Sequence, residues 1–200
     1  MQQILFAIPP GINILPYEGE ALFYPDFLSE PESLFYYRRL LGEYEFRQVP
    51  VKINNKYVLQ PKLTALAGEE DQLNPGSELP VQSWTETLFG LKTKVEETAE
   101  IRFTHALLNL YRDGKDGVGW HRDREEQWGA EPVIASLSLG TARLFQMRNT
   151  INRQIIRNIE LTPGSLLIMK GLSQKNWEHR IPKTSKRIGP RLNITFRIKI

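Results

Sequence analysis

The chain of 200 residues contains no cysteine and only three histidines, His105, His121 and His179. The first absence removes disulfides, zinc–thiolate sites, iron–sulfur clusters and thiol catalysis together. Any metal must be held by nitrogen and oxygen, with three imidazoles to draw on. Long apolar runs are missing too, so no segment has the length to span a bilayer and no membrane partner is expected. The apolar patch within Met1 to Pro10 lacks a preceding basic region, so no signal peptide is read. The protein reads as intracellular: cytoplasmic, or nuclear in a eukaryote. Neither sign of charge dominates, and a net charge of +3 is compatible with a polyanionic partner without arguing for one. There are no internal repeats or low-complexity segments.

What is present suits one domain, 1–200, with a core of ordinary size: 40% of residues are hydrophobic. The texture changes near residue 100. Before it, helices are expected among loops. Ser29, Pro31 and Glu32 resemble a capping box, with Leu34, Phe35 and Leu41 as an apolar stripe and Gly42 as a stop. A hairpin is expected across Val49–Ala67 around Asn54-Asn55, then a polar surface loop from Gly68 to Pro80. A second helical pattern runs from Ser83 to Glu97 on Trp84, Leu88, Leu91 and Val95.

After residue 100, short strands alternate with turn signals: Phe103–Arg112, Pro132–Leu139, Ala142–Arg148, Gln154–Leu161, Ser165–Lys170, Trp177–Ile181 and Arg191–Ile198. This order predicts an α+β, mainly β protein, a small antiparallel sandwich or jelly roll with a helical buttress.

His121 and Asp123 stand two positions apart, so an extended backbone points both to one side. With His179 they would make two imidazoles and one carboxylate, a facial set that leaves positions open on iron(II). A histidine–carboxylate pair alone is a common coincidence. His105, inside an alternating strand, is read as structural.

A second pattern raises the weight of the first. Arg191, Asn193, Thr195 and Arg197 share one face of a strand whose other face is Leu192, Ile194 and Phe196. Two guanidiniums bracketing an amide and a hydroxyl suit a dicarboxylate, although a basic edge strand would look the same. Asn109 and Tyr111 form a similar pair on an earlier strand, and Tyr111 could equally fill core.

These residues resemble the AlkB family. The similarity is carried by Asn109 to Gly114, His121 to Glu125, Ala135 to Gly140 with Arg143 and Phe145, Gly164 to Met169, Trp177 to His179, and Arg191 to Arg197, with a weaker match over Gln60 to Gly68. The resemblance implies a double-stranded β-helix over 101–200 and a nucleotide-recognition lid within 1–100. It implies iron(II), 2-oxoglutarate and oxygen as cofactor and co-substrates, with His121, Asp123 and His179 on the metal. Asn109, Tyr111, Arg191, Asn193, Thr195 and Arg197 would surround 2-oxoglutarate. Glu125 would contact the base. Read from charge alone, basic residues such as Lys62, Arg122, Arg124, Arg143, Arg153 and Lys183 could hold phosphates, although each taken singly is more often a solvated charge.

The implied activity is oxidative dealkylation of N-alkylated bases, in DNA first, by a monomer. Many DNA-repair members carry a Pro-Arg stretch and then an aromatic-Gly pair, where this chain has Pro61-Lys62 and Ala67-Gly68. The lesion therefore stays open, as do an RNA or tRNA substrate, a protein or small-molecule substrate, and a non-catalytic nucleic-acid-binding module.

Overall fold

The structure is a computed structural model that describes residues 8–53, 56–69, 79–123 and 131–198. Arg124, Glu125, the Asn54-Asn55 tip and most of the expected polar loop, 70–78, lie outside the described residues.

Helix α1, Glu30–Glu43, begins where the capping box places it. The Glu32 carboxylate accepts from the Ser29 backbone N–H at 3.0 Å and from its hydroxyl at 2.7 Å. Its buried face, however, is not the expected stripe: Ser33 and Leu40 are buried, while Leu34 and Phe35 are exposed. Residues 33, 36, 37 and 40 share a helical side, and there Tyr36 and Tyr37 supply the apolar surface. Gly42 does not stop the helix, which runs to Glu43 before Tyr44 turns extended. Helix α2, Glu86–Ala99, starts three residues later than expected because Thr85, not Ser83, caps it, accepting from the Leu88 N–H at 3.2 Å. Leu88, Leu91 and Val95 are buried as expected.

Fourteen strands are described, and among them are all seven expected after residue 100. In chain order they are β1 Ile12–Asn13, β2 Glu20–Tyr24, β3 Pro50–Ile53, β4 Lys56–Leu59, β5 Leu63–Gly68, β6 Val81–Gln82 and β7 His105–Tyr111. There follow β8 Val118–His121, β9 Ile134–Gly140, β10 Arg143–Asn149, β11 Ile156–Leu161, β12 Leu166–Lys170, β13 Trp177–Ile181 and β14 Arg191–Arg197. A short helix α3, Ser173–Asn176, precedes β13. The hairpin is shorter than expected: β3 pairs with β4, and β5 leaves to join the main sheet beside β7. The residues explain the split. Tyr57, Val58 and Leu59 are exposed, whereas the small residues Ala65 and Ala67 are buried where only a close-packed strand fits.

An eight-stranded sheet runs β1-β2-β12-β9-β14-β7-β5-β6 and a four-stranded sheet runs β11-β10-β13-β8. This is the expected mainly β jelly-roll core with helices on one side. Alternation along the central strands decides where everything sits. Leu192, Ile194, Phe196, Leu108 and Ala106 face one way and pack with Leu40, Leu88, Leu91 and Val95 of the helices. The opposite faces turn toward the four-stranded sheet, where Met147, Phe145, Trp177, Ile134 and Met169 form a second core. The polar residues of β7 and β14 therefore line the space between sheets, not solvent. Among the described residues no helix is long and apolar enough to cross a membrane.

Candidate active site

The two imidazoles are brought together by strand pairing. His121 ends β8, the edge strand, and is the register partner of His179 on β13, with ring centroids 4.3 Å apart. Asp123 follows two residues later. The metal-binding atoms of His121, Asp123 and His179 all lie within 4.8 Å of one another. These three side chains meet, as expected from the sequence.

Hydrogen bonds orient His121 and Asp123, while His179 Nδ1 has no hydrogen-bond partner among the described residues and its ring stacks on Phe145 at 5.5 Å between centroids. His121 Nδ1 lies 2.9 Å from the Gly119 carbonyl oxygen. In the neutral ring that nitrogen donates, which leaves the Nε2 lone pair for a ligand bond. Burial, above all, holds the proton affinity of His121 below the ordinary histidine value. Burial also pushes His179 down to about 3, helped by His121 and Arg197. Both rings are thus neutral at pH 7, as metal coordination requires.

Asp123 is pulled the other way. Burial favours its neutral form, but the charge and hydrogen bonds of Arg197 above all outweigh it, so the carboxylate is held ionised. Arg197 donates to Asp123 Oδ2 from Nε at 3.0 Å and from Nη2 at 2.6 Å. The Asp123 backbone N–H donates to Gln174 Oε1 at 3.1 Å. Nothing in the sequence singled out Gln174, which sits on α3 some fifty residues away.

The arginine-bearing face of β14 divides into satisfied and unsatisfied groups. Asn193 Nδ2 donates to Ser136 Oγ at 2.9 Å and to the Leu137 carbonyl at 3.0 Å, and Asn193 Oδ1 accepts from the Thr195 hydroxyl at 3.2 Å. Arg197 is committed to Asp123. Arg191 differs. It is 1% exposed; Nη2 donates to Ser138 Oγ at 2.9 Å, and the nearby Tyr111 hydroxyl also favours the charged guanidinium. Its Nε and Nη1 have no hydrogen-bond partner among the described residues, nor does Asn109 Oδ1. Its guanidinium carbon lies 5.3 Å from the Tyr111 ring centroid. Burial brings Arg191 down to about 10, far from losing its charge at neutral pH, and raises Tyr111.

A buried cation with two idle donors costs several kcal/mol unless an anion completes it. A carboxylate end fits that position, and two neutral imidazoles with one carboxylate fit iron(II) or a similar ion. The donor sets therefore suit both groups that the sequence resemblance implies.

These side chains line a cavity of about 1160 Å³. The cavity also has an aliphatic part, lined by Val51, Leu66, Leu79, Val81 and Leu107. Lys62 reaches into the cavity, where burial and then the charge of Arg197 lower it to about 8; Arg122 and Lys183 also line it. His105 does not join the other histidines but forms part of the cavity wall, its Nδ1 2.9 Å from the Thr104 hydroxyl. Arg143 is not placed to meet phosphate: it is buried and donates to the carbonyls of Asp113, Asp116 and Pro182.

Comparison with known proteins agrees with this geometry. Residues 20–197 match the model of the 2OG-Fe(II) oxygenase superfamily. The chain is 38% identical over 184 residues to alpha-ketoglutarate-dependent dioxygenase alkB homolog 3 of Mus musculus, covering 87% of this chain and 64% of that protein. It thus spans a little under two thirds of that relative's length. It is 29% identical over 201 residues to DNA oxidative demethylase ALKBH2 of Mus musculus, covering 94% and 84%. Its fold resembles the solved structure of OsALKBH1 with a TM-score of 0.64 at 16% identity, covering 96% and 100% of the two chains. The chain belongs to the 2OG-Fe(II) oxygenase superfamily, and within it is AlkB-like.

Proposed function

We propose that this chain is an iron(II)- and 2-oxoglutarate-dependent dioxygenase that removes alkyl groups from N-alkylated bases in nucleic acid, with DNA as the first candidate. One observation carries the reading: Arg191, buried with two donors unmet, lines the same cavity as the histidine–aspartate–histidine cluster. The names of the relatives, one a DNA oxidative demethylase, point to the same chemistry.

His121, Asp123 and His179 would hold the metal. Arg191 would bind the far carboxylate of 2-oxoglutarate through Nε and Nη1, with Asn109 and Tyr111 beside it. Asn193, Thr195 and Arg197, on the same cavity-lining face, would complete the surroundings of 2-oxoglutarate, with Arg197 also fixing the Asp123 carboxylate. Iron(II) held there, with 2-oxoglutarate and oxygen, would supply the oxidising chemistry for hydroxylating an N-alkyl carbon, the co-substrate leaving as succinate and carbon dioxide and the alkyl group as an aldehyde. The protein supplies geometry and exclusion of water. The target base must leave its stack, or come from a single strand, to enter such a cavity. Lys62, Arg122 and Lys183 would meet the backbone phosphates. The enzyme would work inside the cell as a monomer, with 1–100 forming the lid and 101–200 the catalytic core of one domain.

The test is mass spectrometry of oligonucleotides carrying 1-methyladenine or 3-methylcytosine, incubated with and without iron(II) and 2-oxoglutarate. Loss of the methyl group only in the complete mixture is expected. Methylated DNA and RNA competing in one reaction would rank the two substrates. Unchanged bases in both, under full supplementation, would remove the dealkylation reading.

A further inference from the structure

The strand that presents His121 is weakly held by its backbone. β8 is a sheet edge, and its register with β13 consists of His179 with His121 and Ile181 with Val118, interrupted by an irregularity. A short edge strand with a bulge is free to roll about its own axis unless side chains stop it. Rolling would swing His121 away from Asp123 and His179. Residue 120 is the natural brake, because neighbouring side chains on a strand project to opposite faces. Fixing the outward side chain fixes the direction of the inward one.

Trp120 has such a hold. The guanidinium carbons of Arg148 and Arg180 lie 4.2 and 4.4 Å from its ring centroid, within cation–π distance. Neither arginine is loose. Arg148 donates to Glu178 Oε1 from Nε at 3.0 Å and Nη2 at 2.7 Å. Arg180 Nε donates to Gln146 Oε1 at 2.7 Å, and Gln146 Nε2 reaches Asn158 Oδ1 at 2.7 Å. The indole is thereby tied through β13 and β10 to β11, across the full width of the sheet. A plain solvent-facing tryptophan would need none of these partners.

We propose that Trp120 is a positioning residue for the metal centre: held by Arg148 and Arg180 on the outer face, it sets the rotation of β8 and so aims His121. The inference rests on the reading of His121 as a metal ligand. Its test must separate the two, and metal-free protein titrated with cobalt(II) does so through affinity and the visible ligand-field spectrum. The parent is expected to bind, and His121→Ala to lose binding; failure of the parent to bind would remove the metal reading itself. Given that binding, Trp120→Ala should weaken cobalt affinity about tenfold, the lower end of what losing an orienting partner costs, and alter the spectrum. Trp120→Phe keeps a π face and should restore affinity to within about threefold. Urea unfolding in a chelator reports any purely structural loss. Trp120→Ala with parental affinity and spectrum overturns the proposal, whatever its unfolding midpoint. If that variant does not fold, Arg180→Met decides: about threefold weaker binding with an unchanged midpoint supports it, and unchanged binding overturns it.

Discussion

The floor and the wall of the cavity are both made mostly of strand residues, yet they hold different kinds of information. On the floor, Asn193, Thr195, Arg197 and Asp123 are hydrogen-bonded within the protein, and among the described residues Arg191, Asn109 and His179 keep buried atoms without a partner. Position there is set by directional bonds, so the chemistry that fits is narrow. The wall of Val51, Leu66, Leu79, Val81 and Leu107 offers only shape. A methylene more or less in an aliphatic pocket is worth about 1–3 kcal/mol, too little to define one substrate. The molecule thus states its reaction more sharply than its target.

The contrast can be broken most severely at the metal cluster. His121→Ala and Asp123→Ala should each abolish turnover, but they should part company in stability. Asp123→Ala leaves the Arg197 guanidinium buried without its carboxylate and should cost about 3–5 kcal/mol in urea unfolding of the metal-free protein. His121→Ala should cost far less. Equal losses would mean that the Arg197–Asp123 pair does not hold the floor together.

Next in size is the co-substrate position. Arg191→Met should weaken 2-oxoglutarate binding by about 2–3 kcal/mol, close to a hundredfold, because a charge-assisted bond is lost. It should also leave the metal-free protein as stable as before or more so, since two unmet buried donors go with it. A strongly destabilised Arg191→Met would show that the guanidinium serves folding.

The floor was legible in the sequence because its signal has period 2. Arg191, Asn193, Thr195 and Arg197 announce a face, and strand pairing then delivers Asn109 opposite Asn193 and Tyr111 opposite Arg191. Even so, the pattern could not tell satisfied from idle groups: Asn193 and Thr195 bond to the protein, while Arg191 waits. Ser136 and Ser138 could have been found by the same alternation, having been noted only as part of the family match. Gln174 and the Arg148–Trp120–Arg180 cluster had no such signal, because their partners come from remote strands. The N-terminal half was read least well. In α1 two tyrosines, not the leucine and phenylalanine expected, complete the buried face, and β2 joins the main sheet by pairing with the distant β12.

A smaller effect concerns pH. A histidine held down to about 3 in the fold, against an ordinary value near 6.5, binds fewer protons folded than unfolded anywhere between those values. Acidification through that window therefore favours unfolding, with a slope of up to about 1.4 kcal/mol per pH unit. In a chelator, the urea stability of the parent should fall by about 1 kcal/mol between pH 6 and pH 5, above the range where most carboxylates titrate. His179→Gln should flatten that slope, leaving the part due to His121, which is shifted the same way. A slope unchanged in the variant would place the titration elsewhere.

The wall should yield the smallest response, and its kind matters more than its size. Leu66 lies on the cavity side of β5, with Ala65 and Ala67 turned to the helical core. Leu66→Ala removes apolar contact without touching a hydrogen bond, and the residue is only half-buried. Stability should drop by about 1 kcal/mol, below the range of a fully buried leucine. Affinity for 2-oxoglutarate and for metal should not move, because Leu66 is not among the residues proposed to hold either. KM for an alkylated oligonucleotide should rise by no more than about tenfold, with kcat nearly constant, as expected when uniform binding is lost. A collapse of kcat would contradict the division between floor and wall, since it would mean that an aliphatic contact helps to place the alkyl carbon over the metal.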